Sequence, residues 1–372
     1  MEVLGLCSYP VEAAATRYRF TQYIAPLEEK GINLTVNSFL NSQEFASFYQ
    51  RGKPLHKAFK MFKPFANRFF DSFSIRKYDA LLVQREAMMF GPPLFEWLAK
   101  TIGKCPLVLD LDDATYVRYV SPTYGRLGSA FKFFGKTDSL IEWSETIICG
   151  NRFIAEYVEK KGKKAIVVPT VVDTEKFQPV EKDENKLPTI GWIGTHSAFP
   201  LLEMLFPVLQ KLARNYDFTL KIVGSGKDKI EISGLRIENS DWKLEREIED
   251  FQSLDIGLYP ITIVDNANQD WLVGKSGFKA IQYMAVGIPF VVSPVGVCAE
   301  IGIENETHFA ASTGEQWYES LKTLLESFEK RREMGEKGRG YALEHFTVMQ
   351  QTDKIAKVLH GASKSFQAKI GH

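Results

Sequence analysis

Short apolar runs alternate with helix-length amphipathic stretches twice along this chain, and the alternation breaks once near the middle. In the first half the runs are EVLGLC (2–7), INLTVNSF (32–39), ALLVQ (80–84), LVLDL (107–111), TIICG (146–150) and AIVVP (165–169). Near-continuous hydrophobicity is what strands covered on both faces require, so these runs predict a parallel sheet wrapped by helices. QPVEKDENKLP (178–188) is charged, polar and bounded by prolines, the mark of a linker. After it TIGWIG (189–194), FTLKIVG (218–224), LRIE (235–238), DIGLYP (255–260) and PFVVS (289–293) begin a second series. The pattern predicts an α/β protein with two Rossmann-like domains, residues 1–180 and 186–346, and a helical tail, 347–372. Ligands of such sheets bind beyond the carboxyl ends of the strands.

The segment KSGFKAIQYMA (275–285) predicts a helix with a divided surface. Lys275, Lys279 and Gln282 fall at i, i+4 and i+7, with Phe278, Ile281, Met284 and Ala285 on the other side. Ser276 and Gly277 can cap its start, so free backbone N–H groups, the positive end of the helix dipole and two ammonium groups would meet in one anion-binding corner. A diphosphate suits it. The alternative is an ordinary helix–strand unit with solvated lysines.

Composition narrows the field. At 372 residues the chain has room for a core in each of two domains. Lys+Arg and Asp+Glu both number 46, so net charge gives no sign of a nucleic-acid binder. Cys7, Cys105, Cys149 and Cys298 lie far apart without a C-x-x-C pair, as expected of buried thiols in a reducing compartment. The start MEVLGLCSYP is too short in apolar residues for a signal peptide, and no run reaches the length of a membrane span, so a cytoplasmic protein is expected.

The tail YMAVGIPFVVSPVG (283–296) resembles the donor-binding region of family 4 retaining glycosyltransferases, where E-x7-E precedes A-M-A-x-G-x-P-V-V. Gly274 and Gln282 stand at the two Glu positions. The chain is similar to a sub-branch reading K-x-G-F-K-x-x-Q-Y-M-A-x-G-x-P, which Lys275, Gly277, Phe278, Lys279 and Gln282 match. SYPVEAAATRYRF (8–20) resembles the first strand–loop–helix of that sub-branch, with Arg17 and Arg19 where many relatives carry a glycine-rich loop. Both arginines are expected at a helix start, gripping a donor diphosphate or an anionic acceptor, or else solvated. GWIGTHSAFP (191–200) looks like the family's opening strand and loop of the second domain. Gly194, Thr195, His196 and Ser197 stand there in place of the usual Arg or Lys. Trp242 falls near the base pocket by resemblance, and Asp270 and Trp271 are candidates for contact with the donor sugar. The resemblance implies the GT-B architecture, two Rossmann-like domains facing a central cleft, with the C-terminal helix crossing back onto the first domain.

Two strand ends of the first half carry further candidates. Gln84, Arg85 and Glu86 close one strand, with Glu86 a natural partner for Arg85. LVLDLDDATY (107–116) has rival readings. Asp110-x-Asp112 suits the metal-binding D-x-D of a GT-A glycosyltransferase. It also suits the D-x-D-x-T of a phosphatase with an aspartyl nucleophile, although Ala114 occupies the fifth position. By resemblance to family 4, Asp112-Asp113 lies where relatives carry His-Asp, Asp112 facing the reacting sugar and Asp113 or Asp110 fixing the loop. All three carboxylates could instead be structural.

The resemblance implies a retaining enzyme that moves a sugar from a nucleotide diphosphate donor to a hydroxyl of a glycan or lipid-linked acceptor. Lys275 and Lys279 would hold phosphate, and Gln282 would take the ribose hydroxyls that a Glu usually binds. Reaction on the donor's front face, with the departing phosphate taking the acceptor proton, calls for neither metal nor cofactor. A nucleotide-sugar 2-epimerase and a non-catalytic glycan- or partner-binding relative are the alternatives. Finally, residues 51–78 mix Arg51, Lys53, Lys57, Lys60, Lys63, Arg68, Arg76 and Lys77 with Phe59, Phe62, Phe65, Phe69, Phe70 and Phe73. Basic helices edged with aromatics suit an anionic membrane surface, and phenylalanines of a core with solvated lysines would read the same way.

Overall fold

A computed structural model of the chain describes residues 1–49, 60–118, 131–184, 186–261 and 269–370. They form two compact units: Met1–Thr170 with Gly274–Ser276 and Val348–His372, and Val171–Val273 with Gly277–Thr347. The expected α/β class holds in both.

The first unit is built on six parallel strands, β1 (Glu2–Cys7), β2 (Asn33–Ser38), β3 (Ala80–Gln84), β4 (Leu107–Leu111), β5 (Thr146–Cys149) and β6 (Ala165–Val167), in the order β2-β1-β3-β4-β5-β6. Every residue of β3 and β4 is buried, which explains their unbroken apolar runs, whereas edge strand β2 keeps polar positions. Winding reverses between β1 and β3, the kind of switch point at which a crevice opens beyond the carboxyl ends. One face of the sheet buries Leu81, Leu107, Leu109 and Phe95. The other is closed by the C-terminal helix Val348–Ile370, whose Ile355, Leu359 and Ala362 pack with Val3, Leu82, Val108 and Ile148. Ion pairs tie this helix down at both ends: Lys30 with Asp353 at 2.6 Å, and Lys369 with Glu145 at 2.6 Å.

The second unit has β7 (Thr189–Ile193), β8 (Thr219–Val223), β9 (Arg236–Ser240), β10 (Ile256–Tyr259), β11 (Phe290–Val292) and β12 (Phe309–Ala310), all parallel, in the order β12-β11-β10-β7-β8-β9. Its switch point lies between β7 and β10. The polar stretch 178–188 belongs to this unit, because side chains of the unit hold the incoming chain. Arg339 donates to the carbonyls of Thr174, Phe177 and Ala285 at 2.8, 2.7 and 2.6 Å, and Lys182 donates to Leu254 O at 2.7 Å. The helix Phe278–Ala285 lies on the sheet through Tyr283, whose hydroxyl donates to Leu258 O at 3.0 Å. A Cβ at Gly257 would come within 2.7 Å of the Tyr283 ring, so only glycine allows that approach. Among the described residues no helix is long and apolar enough to cross a membrane.

Candidate functional site

At the carboxyl edge of the first sheet, β3 and β4 end side by side, Gln84 in register with Asp110. Arg19 and Asp110 form a fully buried ion pair, and Arg19 also donates to Val168 O at 2.7 Å. The two arginines expected at a helix start stand instead in the last turn of Ala14–Arg19, where basic groups suit the negative end of the dipole. Arg19 is sealed from ligands by this pairing. Arg17 is partly exposed and donates to the carbonyls of Val11 and Glu12 at 3.1 and 3.2 Å, closing its own loop.

One step further out, Arg85 holds both aspartates. Its Nε and Nη2 donate to Asp112 Oδ1 and Oδ2, each at 2.6 Å, and Nη2 also reaches Asp113 Oδ2 at 3.0 Å. Gln84 Nε2 adds a bond to Asp112 Oδ1 at 3.1 Å. Burial pushes the Asp112 carboxyl up, but the guanidinium and the Gln84 amide outweigh it and hold it below the usual carboxylate range. With both oxygens engaged, Asp112 fixes the strand end; the more open carboxylate is Asp113, 29% exposed. The expected Arg85–Glu86 pair does not form. Glu86 pairs with Lys136 at 2.5 Å, drawn there by a nearly buried ammonium that also donates to Met88 O at 2.9 Å. The D-x-D readings meet the same geometry: Asp110 and Asp112 are each committed to an arginine, and among the described residues no three His, Cys, Asp or Glu side chains cluster to hold a metal.

Two neighbours of this edge escaped the sequence reading. A Cβ on Gly150 would lie 2.9 Å from Asp112 Cα, so glycine is needed for the β4 and β5 loops to pass. Asn151 caps the helix Arg152–Lys160, its Oδ1 accepting from Ile154 N at 2.9 Å, while its Nδ2 donates to Gly274 O and Lys275 O at 3.0 and 3.2 Å. A Gly-Asn pair between an apolar run and an amphipathic one was the available signal.

That capture explains a change in the helix expected from 275. Lys275 lies outside it. Asn151 takes the carbonyls that a first helical turn would use, and Gly277 sits at φ 65°, a left-handed conformation that cannot continue a right-handed helix. The helix therefore starts at Phe278, and Gly277 supplies no side-chain cap. Glycine is needed twice over at this position, since a Cβ would lie 2.6 Å from Val297 Cγ1. Phe278 is partly buried at the first position. Lys279 Nζ lies 5.1 Å from the Phe251 ring centroid and donates to Gln282 Oε1 at 3.0 Å. Gln282 is fully buried, and its Nε2 has no partner among the described residues.

The loops after β7 and β8 meet backbone to backbone in the second unit. Gly194 N continues the sheet by donating to Val223 O at 3.0 Å, and Gly224, at φ 81°, would place a Cβ 2.3 Å from Gly194 O. Trp242 approaches the same point, its Cβ 3.3 Å from that position. Thr195, His196 and Ser197 are exposed, Thr195 and Ser197 sharing a hydroxyl–hydroxyl bond of 2.9 Å. Asp270 is exposed in the first turn of Gln269–Val273, while most of the loop before it lies outside the described residues.

Residues 188–327 match the family model of glycosyl transferases group 1. No curated protein sequence matches the chain. Among solved structures, HepE from Anabaena with UDP-glucose shares 14% identity and a TM-score of 0.69, over 97% of this chain and 100% of that one. A sucrose-phosphate synthase from Thermosynechococcus elongatus gives 12% and 0.68, over 98% and 100%. A glycosyltransferase from Rickettsia africae gives 14% and 0.68, over 97% and 98%. Two six-stranded parallel sheets with flanking helices, matched across nearly their whole length by these structures, make the fold GT-B. With the match to the group 1 glycosyl transferase model spanning most of the second unit, the protein is a glycosyltransferase.

Proposed function

We propose that this enzyme is a retaining glycosyltransferase that moves a sugar from a nucleotide diphosphate donor to a hydroxyl of a glycan or lipid-linked acceptor, without a metal. HepE has been solved with UDP, with UDP-glucose and with UDP plus glucose, which supports reading a nucleotide-sugar donor and a glycan acceptor here. The observation that carries the donor assignment is Gln282. Its fully buried amide leaves Nε2 without an acceptor, a cost on the order of 1–3 kcal/mol that a ribose hydroxyl would relieve. Lys279 beside it, at the positive end of the dipole of the helix Phe278–Ala285, supplies positive charge for the diphosphate. Gly194, Thr195 and Asp270 line the donor's remaining contacts in this reading, with Lys275 a second phosphate cation. As the bond to the leaving phosphate breaks, these groups stabilise the charge that develops on it.

Asp113 is the carboxylate that addresses the reacting sugars, and Asp112 the one that fixes its strand. The acceptor is delivered at an anionic bilayer: Phe62, Phe70 and Phe73 are 72%, 70% and 55% exposed beside exposed Lys60 and Lys63. Arg51, Lys53, Lys57 and Phe59 lie outside the described residues.

Lys279→Ala tests the donor assignment. Binding of nucleotide diphosphate, followed by calorimetry, should weaken by about 1.5–3 kcal/mol, the scale of a charge-assisted contact, and stability should fall as well because Gln282 Oε1 loses its donor. Undiminished affinity in a folded variant would remove Lys279 from the site.

A further inference from the structure

Arg85 is one of the few non-glycine residues with positive φ, at 59°. It sits at the carboxyl end of β3, beside the switch point, in a three-residue turn where Glu86 N donates to Gln84 O at 2.6 Å. Such a conformation is costly for a side chain with a Cβ and lasts only where its surroundings over-determine it. They do so here. Ser8 Oγ donates to Glu86 O at 3.1 Å, Lys136 pairs with Glu86, and Ala87 N donates to the buried Glu96 carboxylate at 2.7 Å. The strained turn thus aims a guanidinium that takes Asp112 with two bonds and Asp113 with a third. That third bond uses only Oδ2; among the described residues Asp113 Oδ1 has no hydrogen-bond partner, on a side chain 29% exposed.

We propose that Arg85 is a positioning residue for transfer: its forced turn locks Asp112 onto the strand end and presents the free Oδ1 of Asp113 to a sugar hydroxyl. This rests on the assignment of Asp113 to the reacting sugars. The titratable and polar groups facing Arg85 and the aspartates include Gln84 on β3, Asp110 on β4 with Arg19 behind it, and Tyr9 beyond the end of β1.

Arg85→Gly removes the guanidinium and keeps the turn, because glycine adopts positive φ without strain. Nucleotide-sugar transfer by this variant should fall at least tenfold in kcat, with donor binding unchanged. Millimolar guanidinium ion should restore part of it. The acidic limb of the pH–rate profile should move to higher pH, since Asp112 loses the cation that holds its carboxyl down. Arg85→Lys, which keeps the charge but cannot span two carboxylates, should fall between the two and serves if the glycine variant does not fold. Wild-type kcat and pH profile in Arg85→Gly, with Asp113→Asn still impaired, would overturn the positioning role alone. Wild-type turnover in both variants would overturn the assignment of Asp113 as well.

Discussion

His308 sets a pH limit on the second unit. It is buried, its Nδ1 2.9 Å from Thr307 Oγ1, its ring stacked on Phe290, and burial pushes its pKa down to about 4. Between its ordinary value of about 6.5 and 4 the unfolded chain binds a proton that the folded one refuses. Stability therefore falls as pH drops through that window, by up to ~1.4 kcal/mol per pH unit, and this group contributes no slope above it. Urea titrations at pH 7, 6 and 5 should show the decline, and His308→Phe should flatten it. An equal decline in that variant would assign it to other groups. The candidate site was legible at this scale only where chemistry is local. Lys279 and Gln282, one helical turn apart, were visible as a pair. The Arg19–Asp110 and Arg85–Asp112 pairs join residues 91 and 27 positions apart, and only strand order brings them together.

Element by element, the strands were the most readable feature because burial on both faces leaves unbroken apolar runs; β12, two residues long, was too short to leave one. The start of the helix at Phe278 was hidden, since it is fixed by the left-handed Gly277 and by the capture of two carbonyls by Asn151, a residue far away in sequence. The helix Phe62–Asp71 shows both sides of an ambiguity that composition could not resolve. Arg68, counted with the surface charges, is buried and donates to Cys7 O and Asn37 O at 3.1 Å each. Phe65 packs against Phe95 with tilted rings, centroids 5.3 Å apart, yet Phe62 and Phe70 stand out from the surface. If this face meets an anionic bilayer, the enzyme should co-sediment with phosphatidylserine-containing vesicles at low salt and release them as ionic strength rises. Each exposed lysine is worth about 1 kcal/mol at such a surface. Lys60→Glu with Lys63→Glu should reduce binding sharply, and undiminished binding by that double variant would locate the contact elsewhere.

Across the whole molecule, two parallel sheets divide the chemistry. The second unit carries the stretch that matches the group 1 model, together with Lys279, Gln282 and the glycine loops. The first carries the aspartates and the exposed phenylalanines, and is completed by the final helix of the chain. In the function proposed above, a phosphate corner built on Lys279 would compensate a departing diphosphate without a metal. The most direct test is turnover of a nucleotide sugar such as UDP-glucose with a glycan or lipid-linked acceptor in excess EDTA, the product read by NMR at its anomeric centre. The product should be a glycoside with the donor's own anomeric configuration, formed at an undiminished rate in the chelator. A product of inverted configuration, activity that vanishes in EDTA and returns with manganese, or no transfer from any nucleotide sugar would contradict the proposed function.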